Sequence, residues 1–352
     1  MIDKKNEILE NYQKKESRKV IFLVSAFIGL LIISVICTSL GITDSSIMDV
    51  WKTILKGILK SSNLSTTEKV ILNLRLPRTV LGLLAGIGLS ISGVIMQGIT
   101  RNPLVSPFTT GISSAAGFGA SIAIVFGFGL FGSSQLGIVT NAFIAAMVCT
   151  MIIFLTARKM SMSSQSIILT GIALNYLFQA CSTTIQFIAD DDKLAKVINW
   201  TFGTLNGAEW AHVKIVGVFV ISCLVILMLL NDKFTIMAIM EDELAKTMGI
   251  NPGVLRIIGS ILSALCTAAI ISFTGVIGFI GLAAPHITRA IIGNNYKYLL
   301  PGSAIVGAML IIIADTIGRL ILSPVIVPVG IVISFLGVPI FLHQVVLNRR
   351  SY

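Results

Sequence analysis

Long apolar runs separated by short polar stretches are the dominant pattern of this 352-residue chain. The first run extends from Val20 to Leu40, and runs of similar length follow near 79–99, 111–131, 136–157, 166–188, 211–231 and 254–273. Shorter runs with internal Gly and Pro lie near 275–292, 301–318 and 327–347. A helix needs about 20 apolar residues to cross a bilayer. The pattern therefore predicts an all-α polytopic membrane protein with about ten transmembrane helices.

A charged lead, residues 1–19, precedes the first run and carries more basic than acidic side chains. The run that follows is longer than the core of a signal peptide, which has about 7–15 apolar residues. We interpret it as an uncleaved first span, and its basic flank places the N-terminus in the cytoplasm. The chain then divides into a cytoplasmic lead over 1–19 and a single transmembrane domain over 20–352. An even number of spans also puts the C-terminus in the cytoplasm.

Composition supports the membrane assignment, because 55% of the residues are apolar and only 12% are charged. Soluble domains carry about 25% charged residues. The net charge of +10 is spread over short clusters between the apolar runs, so we expect membrane lipid and no nucleic acid as a partner. In the predicted topology 16 of the 26 Lys and Arg residues lie inside. Of the other ten, six fall in the outer loop 41–78, a concentration that requires an explanation.

Residues that usually bind metals or nucleotides show no suitable spacing. The five cysteines each lie inside an apolar run without a CxxC pair, which favours buried thiols, and the three histidines are scattered. The pattern GxGxxG at 127–132 has no preceding strand, and the chain has no P-loop motif. We expect no metal site and no cofactor in this chain.

A weak internal repeat links the two halves of the chain. A gapless shift of 182 residues aligns Gly93–Ile95 with Gly275–Ile277, Pro103 with Pro285, and Gly111 with Gly293. In the predicted topology the two copies cross the membrane in opposite directions. Inverted repeats are a common construction of transporters. The short runs around the two prolines are candidates for broken or re-entrant helices, which need protein or a water-filled path around them.

Three arginines stand at the predicted outer ends of spans, Arg75, Arg78 and Arg319. One interpretation is that they reach lipid phosphates. Another is that they bind an acidic partner, since guanidinium groups form paired hydrogen bonds with carboxylates. Asp315 lies four residues before Arg319, so an ion pair within one helix is a third possibility.

The predicted cytoplasmic loop 232–252 contains a short charged helix that ends at a glycine. Its exposed apolar residues, Leu244 and Met248, are spaced i and i+4, which favours insertion into a partner protein over a solvated connector. The residues that we assign to this contact are Glu241, Asp242, Glu243, Leu244, Ala245, Met248 and Gly249.

Short motifs along the chain carry a specific resemblance. They are Arg75–Arg78, Ser92–Gln97, Arg101–Pro107, Gly111–Ser114, Glu243–Ala245, Met248–Ile250, Gly275–Leu282, Pro285–Arg289, Leu300–Pro301, Asp315–Arg319, Pro328–Gly330 and Gly337–Pro339. In this order they resemble the permease subunits of bacterial ABC importers of the iron–siderophore, haem and vitamin B12 type. One position departs from the family pattern, because Ile326 stands where the family usually has a glutamate.

The resemblance implies a permease in the cytoplasmic membrane that works with a second permease subunit and two cytoplasmic ATPase subunits, which bind ATP and magnesium. It also implies an extracytoplasmic binding protein whose acidic residues meet Arg75, Arg78 and Arg319. The loop 232–252 is then the coupling loop to the ATPases, and the chain itself is not an enzyme. The implied cargo is a metal chelate, with a ferric siderophore as our prediction.

Polar residues in or beside spans are our candidates for the translocation path, Gln97, Asn102 and Asn175, although each could instead form an interhelical hydrogen bond. An ion-coupled secondary transporter is the alternative function, since the inverted repeat also fits that class. It would require ion-binding carboxylates in the membrane, and Asp315 is the acidic residue deep in a predicted span.

Overall fold

The computed structural model describes residues 2–40, 46–58, 65–160 and 163–347, and these ranges contain helices but no strand. The helices in chain order are α1 (Ile2–Ser39), α2 (Ile47–Ile58), α3 (Thr66–Val70), a π-helical turn (Ile71–Arg75), α4 (Leu76–Thr100), α5 (Ile112–Phe126), α6 (Gln135–Lys159), α7 (Ser164–Ile188), α8 (Asp191–Thr201), α9 (Trp210–Leu229), α10 (Asn231–Ile239), α11 (Asp242–Thr247), α12 (Pro252–Thr274), α13 (Ile280–Ile292), α14 (Tyr296–Leu320) and α15 (Val329–Leu347).

Seven of the described helical segments are long and apolar enough to cross a membrane: Gln13–Ser39, Thr66–Thr100, Gln135–Lys159, Ser164–Ile188, Trp210–Leu229, Pro252–Thr274 and Tyr296–Leu320. Three shorter apolar helices accompany them, Ile112–Phe126, Ile280–Ile292 and Val329–Pro339. Each apolar run of the sequence therefore corresponds to an apolar helix. The all-helical, polytopic architecture is confirmed.

The first helix continues through the predicted boundary between lead and span, because α1 runs without a break from Ile2 to Ser39. One face of α1 between Val20 and Ile32 carries apolar side chains that are 48–65% exposed, whereas Leu30 and Cys37 pack against α14. An exposed apolar face of this length indicates lipid contact. Residues 13–19 extend the same helix beyond that face.

The centre of the bundle is α4, which is buried along most of its length and packs against α9, α12, α13 and α14. Glycines bring its backbone close to its neighbours. A Cβ atom at Gly93 would collide with the carbonyl oxygen of Gly281 in α13, and one at Gly86 would collide with the backbone of Gly307 in α14. Close approach through small residues is how helices pack tightly in lipid.

Two irregular segments adjoin the short helices α5 and α13. Pro103 lies in the non-helical turns between α4 and α5, whereas Pro285 lies inside α13. Gly111 precedes α5 with φ of 83°, whereas Gly293 follows α13 with φ of 81°. Residues paired by the 182-residue shift thus occupy different local structures, so the gapless repeat is not reflected here.

The outer loop predicted over 41–78 contains structure that the apolar runs did not indicate. Helix α2 and helix α3 lie in it, and the π-helical turn leads directly into α4. A capping box begins α3, with the Ser65 hydroxyl accepting from the Glu68 backbone and the Glu68 carboxylate accepting from the Ser65 backbone. Such boxes satisfy backbone groups that a helix start leaves open.

Candidate docking and coupling sites

Two charged clusters lie at opposite ends of α4. Arg78 is in its first turn, and Arg101 follows its last residue. The first cluster gathers the end of α1 and the last turns of α14, whereas the second gathers α11 and the start of α12. The topology predicted from charge puts Arg78 and Arg101 on opposite sides of the membrane, and this separation agrees with it.

The cluster at the start of α4 is organised around the Asp315 carboxylate. Arg78 donates to it from Nε at 3.0 and 3.1 Å and from Nη2 at 2.8 Å. Arg319 donates to it from Nε at 3.2 Å. The intrahelical pair between Asp315 and Arg319 is therefore formed, and it is part of a larger arrangement. We call these residues, together with Arg75, the Asp315 cluster.

The same arginines hold the end of α1. Arg75 Nη1 donates to the carbonyl oxygen of Ser39 at 3.0 Å. Arg319 donates from Nη1 to Leu40 O at 2.8 Å and from Nη2 to Cys37 O at 2.9 Å. The last carbonyls of a helix lack partners within it and carry partial negative charge. Arg75 and Arg319 thereby fasten α1 to α4 and α14.

All three arginines line one open cavity of about 320 Å³. Pro324 and Ile326 form an apolar part of its wall. The three residues that the sequence separated by up to 244 positions are thus brought together. Three positively charged side chains around one open space provide an electrostatic environment that suits an acidic partner. Binding of such a partner stays a prediction.

The predicted charged helix is present as α11. It begins after Glu241 and is followed by Gly249, whose φ of 77° favours glycine. Leu244 and Met248 are 56% and 55% exposed, whereas Ala245 between them is fully buried. The exposed apolar pair is the arrangement expected of a surface that enters a partner. Its role in coupling stays a prediction.

Asp242 attaches α11 to the bundle. Its carboxylate accepts from Arg101 Nη2 at 2.6 Å and from Arg256 Nη1 and Nη2 at 2.8 and 2.9 Å. Arg256 is only 3% exposed, and its Nε also donates to the Ile99 carbonyl at 3.1 Å. Hydrogen bonds from Arg256 and then Arg101 hold the pKa of Asp242 below its usual value. We call these residues the Asp242 cluster.

The two arginines of the Asp242 cluster were not assigned a role from sequence. Arg101 lies 141 residues from Asp242 along the chain, so no local spacing could indicate the pair. The available signal was positional, because both arginines stand where an apolar run begins or ends. Many residues that anchor a span at the membrane surface have the same position, so position alone does not indicate the contact with Asp242.

The three candidate path residues lie in different places. Gln97 is buried, and its Oε1 accepts from Arg289 Nη2 at 2.9 Å. Asn175 Oδ1 accepts from the Ser114 hydroxyl at 2.6 Å between α7 and α5. Asn102 Oδ1 accepts from the Leu104 backbone at 2.9 Å in the turn after α4. They do not form one lining, and a role in the path stays a prediction for each.

The cysteines and possible metal ligands can be located in the structure, and Cys37 lies beside the Asp315 cluster. Four of the five cysteines are buried, Cys181 is half-buried, and all five are free thiols. Among the described residues no group of three or more His, Cys, Asp or Glu side chains could hold a metal ion.

Comparison with known proteins identifies the class. The FecCD transport family matches residues 29–348. The chain belongs to this family. An Fe(3+)-citrate import system permease of Bacillus subtilis, YfmE, is 35% identical, with 96% of this chain and 98% of that protein covered. The hemin transport system permease HmuU of Yersinia pestis is 33% identical, with 92% and 96% covered.

A solved structure agrees with the family assignment. An inward-facing transporter described as of the metal-chelate ABC type is 30% identical, with 92% of this chain and 98% of that chain covered and a TM-score of 0.81. The FecCD protein is thus a multi-pass permease of the cytoplasmic membrane. It is the transport component of an ABC importer, a class that works with separate ATPase subunits and a binding protein.

Proposed function

We propose that this FecCD permease imports a metal chelate, with a ferric siderophore as the cargo. It pairs with a second permease subunit and uses two cytoplasmic ATPase subunits, which bind ATP and magnesium. An external binding protein delivers the chelate. In this arrangement the seven long and three short apolar helices make ten crossings, and both termini lie in the cytoplasm.

The observation that carries the proposal is the placement of two partner surfaces at opposite ends of one buried helix. The three arginines of the Asp315 cluster open into a cavity at the start of α4. Helix α11, with its exposed Leu244 and Met248, is attached by Asp242 at the end of α4. An importer of this class needs one surface for the binding protein and another for the ATPases.

Transport then requires no chemical change of the cargo. Movement of the ATPases acts on α11, and the Asp242 cluster passes this movement to α4 and α12. Alternating access follows when the ATP-bound and ATP-free states favour different helix arrangements. The arginines outside contribute by holding the binding protein through hydrogen bonds to its carboxylates.

The ion-coupled alternative has little support from the membrane carboxylates. Asp315 and Arg256 are the two buried charged residues among the described side chains, and Asp315 accepts from two arginines. A carboxylate already neutralised in this way is poorly suited to bind a transported cation. The ferric citrate and hemin named for the two relatives are both iron complexes, which supports a chelate as cargo.

The test is uptake by the complete complex in proteoliposomes, with its ATPase and binding protein and a panel of labelled ferric siderophores, ferric citrate, haem and cobalamin. Uptake should require ATP and should persist when ion gradients are collapsed. ATP replaced by a non-hydrolysable analogue is the control. Uptake that continues without ATP but stops without an ion gradient would support the secondary transporter instead.

A further inference from the structure

Helix α2 has three distinct faces. Val50 and Thr53 are 0% and 2% exposed and pack toward α1 and the π-helical turn. A second face is apolar and exposed, with accessibilities of 49–62%, and consists of Ile47, Met48, Trp51 and Leu55. A third face is polar and consists of Asp49, Lys52 and Lys56. At 100° per residue these three sets occupy separate arcs of the helix.

The start of α2 is well defined, so its faces have fixed directions. The Ser46 hydroxyl accepts from the Asp49 backbone at 3.2 Å, and the Asp49 carboxylate accepts from the Ser46 backbone at 3.0 Å. Lys56 makes an ion pair of 2.6 Å with Glu68 of α3. Near its end, Gly57 lies against the Leu72 side chain. These contacts settle which face the protein covers.

Lipid reaches the level at which α2 lies. The exposed apolar side of α1 continues to Ile36 and Leu40, at the end of that span. Arg75, at the end of the π-helical turn, donates to the Ser39 carbonyl and so fixes the two spans at a common height. Because α2 packs on both α1 and this turn, it lies where the lipid-covered surface of α1 ends.

The length and residue types of α2 fit a helix lying along the membrane surface. Its 12 residues span about 18 Å, too short for a hydrocarbon core of about 30 Å. Trp is enriched at the membrane–water boundary. A helix with a large apolar face beside lysines binds in the plane of the interface. These apolar side chains would not contribute to the binding of an acidic docking partner.

We infer that α2 is an interfacial helix, whose face of Ile47, Met48, Trp51 and Leu55 is buried in the outer lipid leaflet while Lys52 and Lys56 face the headgroups and water. This contact anchors the outer ends of α1 and α4 beside the arginine cavity. The inference goes beyond the proposed function and does not depend on which chelate is carried.

The test uses spin labels on two faces of α2 in the full-length permease, reconstituted in vesicles of phosphatidylethanolamine and phosphatidylglycerol. The background is Cys181→Ser, because the other four cysteines are buried. Met48→Cys reports on the apolar face, and Lys52→Cys on the same helix is the matched control. Collisions with oxygen, which dissolves in hydrocarbon, are compared with collisions with a water-soluble nickel chelate.

The label at position 48 should collide mainly with oxygen and the label at 52 mainly with the nickel chelate, so that the ratio of the two rates differs several-fold between them. Leu55→Cys should behave like Met48→Cys and replaces it if that variant fails to fold. Equal access of the nickel chelate to both faces would overturn the inference. Exclusion of both reagents from position 48 would also overturn it, and would indicate a protein partner such as a second copy of this chain.

Discussion

The two clusters at the ends of α4 use the same groups with opposite burial. Each contains one aspartate that accepts from two arginines, and each contains one of the two buried charges among the described side chains. In the Asp315 cluster the carboxylate is buried and both paired arginines are 15% exposed. In the Asp242 cluster Arg256 is buried, and the Asp242 side chain is 37% exposed.

This difference in burial indicates different roles. The Asp315 cluster forms a surface for a partner, whereas the Asp242 cluster attaches a loop to the helix bundle. In the Asp315 cluster a buried carboxylate orients two guanidinium groups, and together with Arg75 they place positive charge along an open cavity. A buried guanidinium group requires a carboxylate from outside, so the Asp242 cluster holds a loop on the bundle. Removing the partner of a buried charge is costly, because the remaining charge stays desolvated.

The largest expected effect comes from removing the carboxylate of the Asp242 cluster. Asp242→Asn leaves the buried Arg256 without its counter-charge, and we expect a loss of about 3 kcal/mol, at the lower end of values for broken buried pairs. The loss should appear as a lower midpoint of thermal unfolding in detergent. In the reconstituted complex, ATP hydrolysis should also continue with less uptake per ATP.

Two variants control this experiment. Glu243→Gln removes a neighbouring carboxylate of α11 that pairs with Lys246 on the surface, where such pairs contribute about 1 kcal/mol or less. Asp315→Asn is the counterpart at the other end of α4 and should cost less than Asp242→Asn, because the side chains of both arginines that it leaves unpaired are 15% exposed, whereas that of Arg256 is 4% exposed. A larger loss of stability for Asp315→Asn than for Asp242→Asn would contradict the proposed difference between the two clusters.

Sequence predicted the parts of these sites that depend on local spacing. The short helix α11, its terminating Gly249 and the exposed Leu244 and Met248 all follow from residues within a few positions of one another. The predicted topology also placed three arginines on one side of the membrane. The attachment of Asp242 to Arg101 and Arg256 was not predicted, because it depends on how three distant segments pack.

The path residues and α2 illustrate the same limit. Gln97 and Asn175 are candidates on polarity alone, and the polarity of a residue does not indicate which neighbouring helix it contacts. Helix α2 has a clear apolar spacing, but it is shorter than a span and lies in a loop whose most prominent sequence feature is its positive charge. The fold was predictable because lipid constrains span length and composition. No comparable constraint on length or composition indicates which spans contact one another.

A smaller effect tests the cavity of the Asp315 cluster without removing its arginines, whose contacts with α1 make their own substitution ambiguous. Leu74→Glu adds a carboxylate to the wall that the three guanidinium groups line, at an exposed apolar position. It should compete with carboxylates of the binding protein and weaken docking about tenfold, which corresponds to about 1.4 kcal/mol. Affinity measured at low and high salt reports this change.

Leu74→Gln is the matched control, since glutamine is similar in size to glutamate and carries no charge. The docking affinity of this variant should stay near that of the unmodified permease. If Leu74→Glu docks as tightly as the control, the cavity is not where the acidic partner binds. The Asp315 cluster would then serve only to fasten α1, and both clusters would be attachments.

The smallest predicted effect is the pH dependence of stability, which tests whether the two arginines stabilise the ionised form of Asp242. Because Arg256 and Arg101 hold the pKa of Asp242 below its usual value of about 3.9, the carboxylate stabilises the folded state above that value. This contribution is lost only as pH falls through the lower folded pKa. The difference in unfolding midpoint between the unmodified protein and Asp242→Asn should therefore stay constant from about pH 8 to about pH 5 and narrow below about pH 4. Narrowing already near pH 6 would mean that the arginines do not stabilise the ionised form, and Asp242 would then be a surface residue near α12 instead of the attachment of α11.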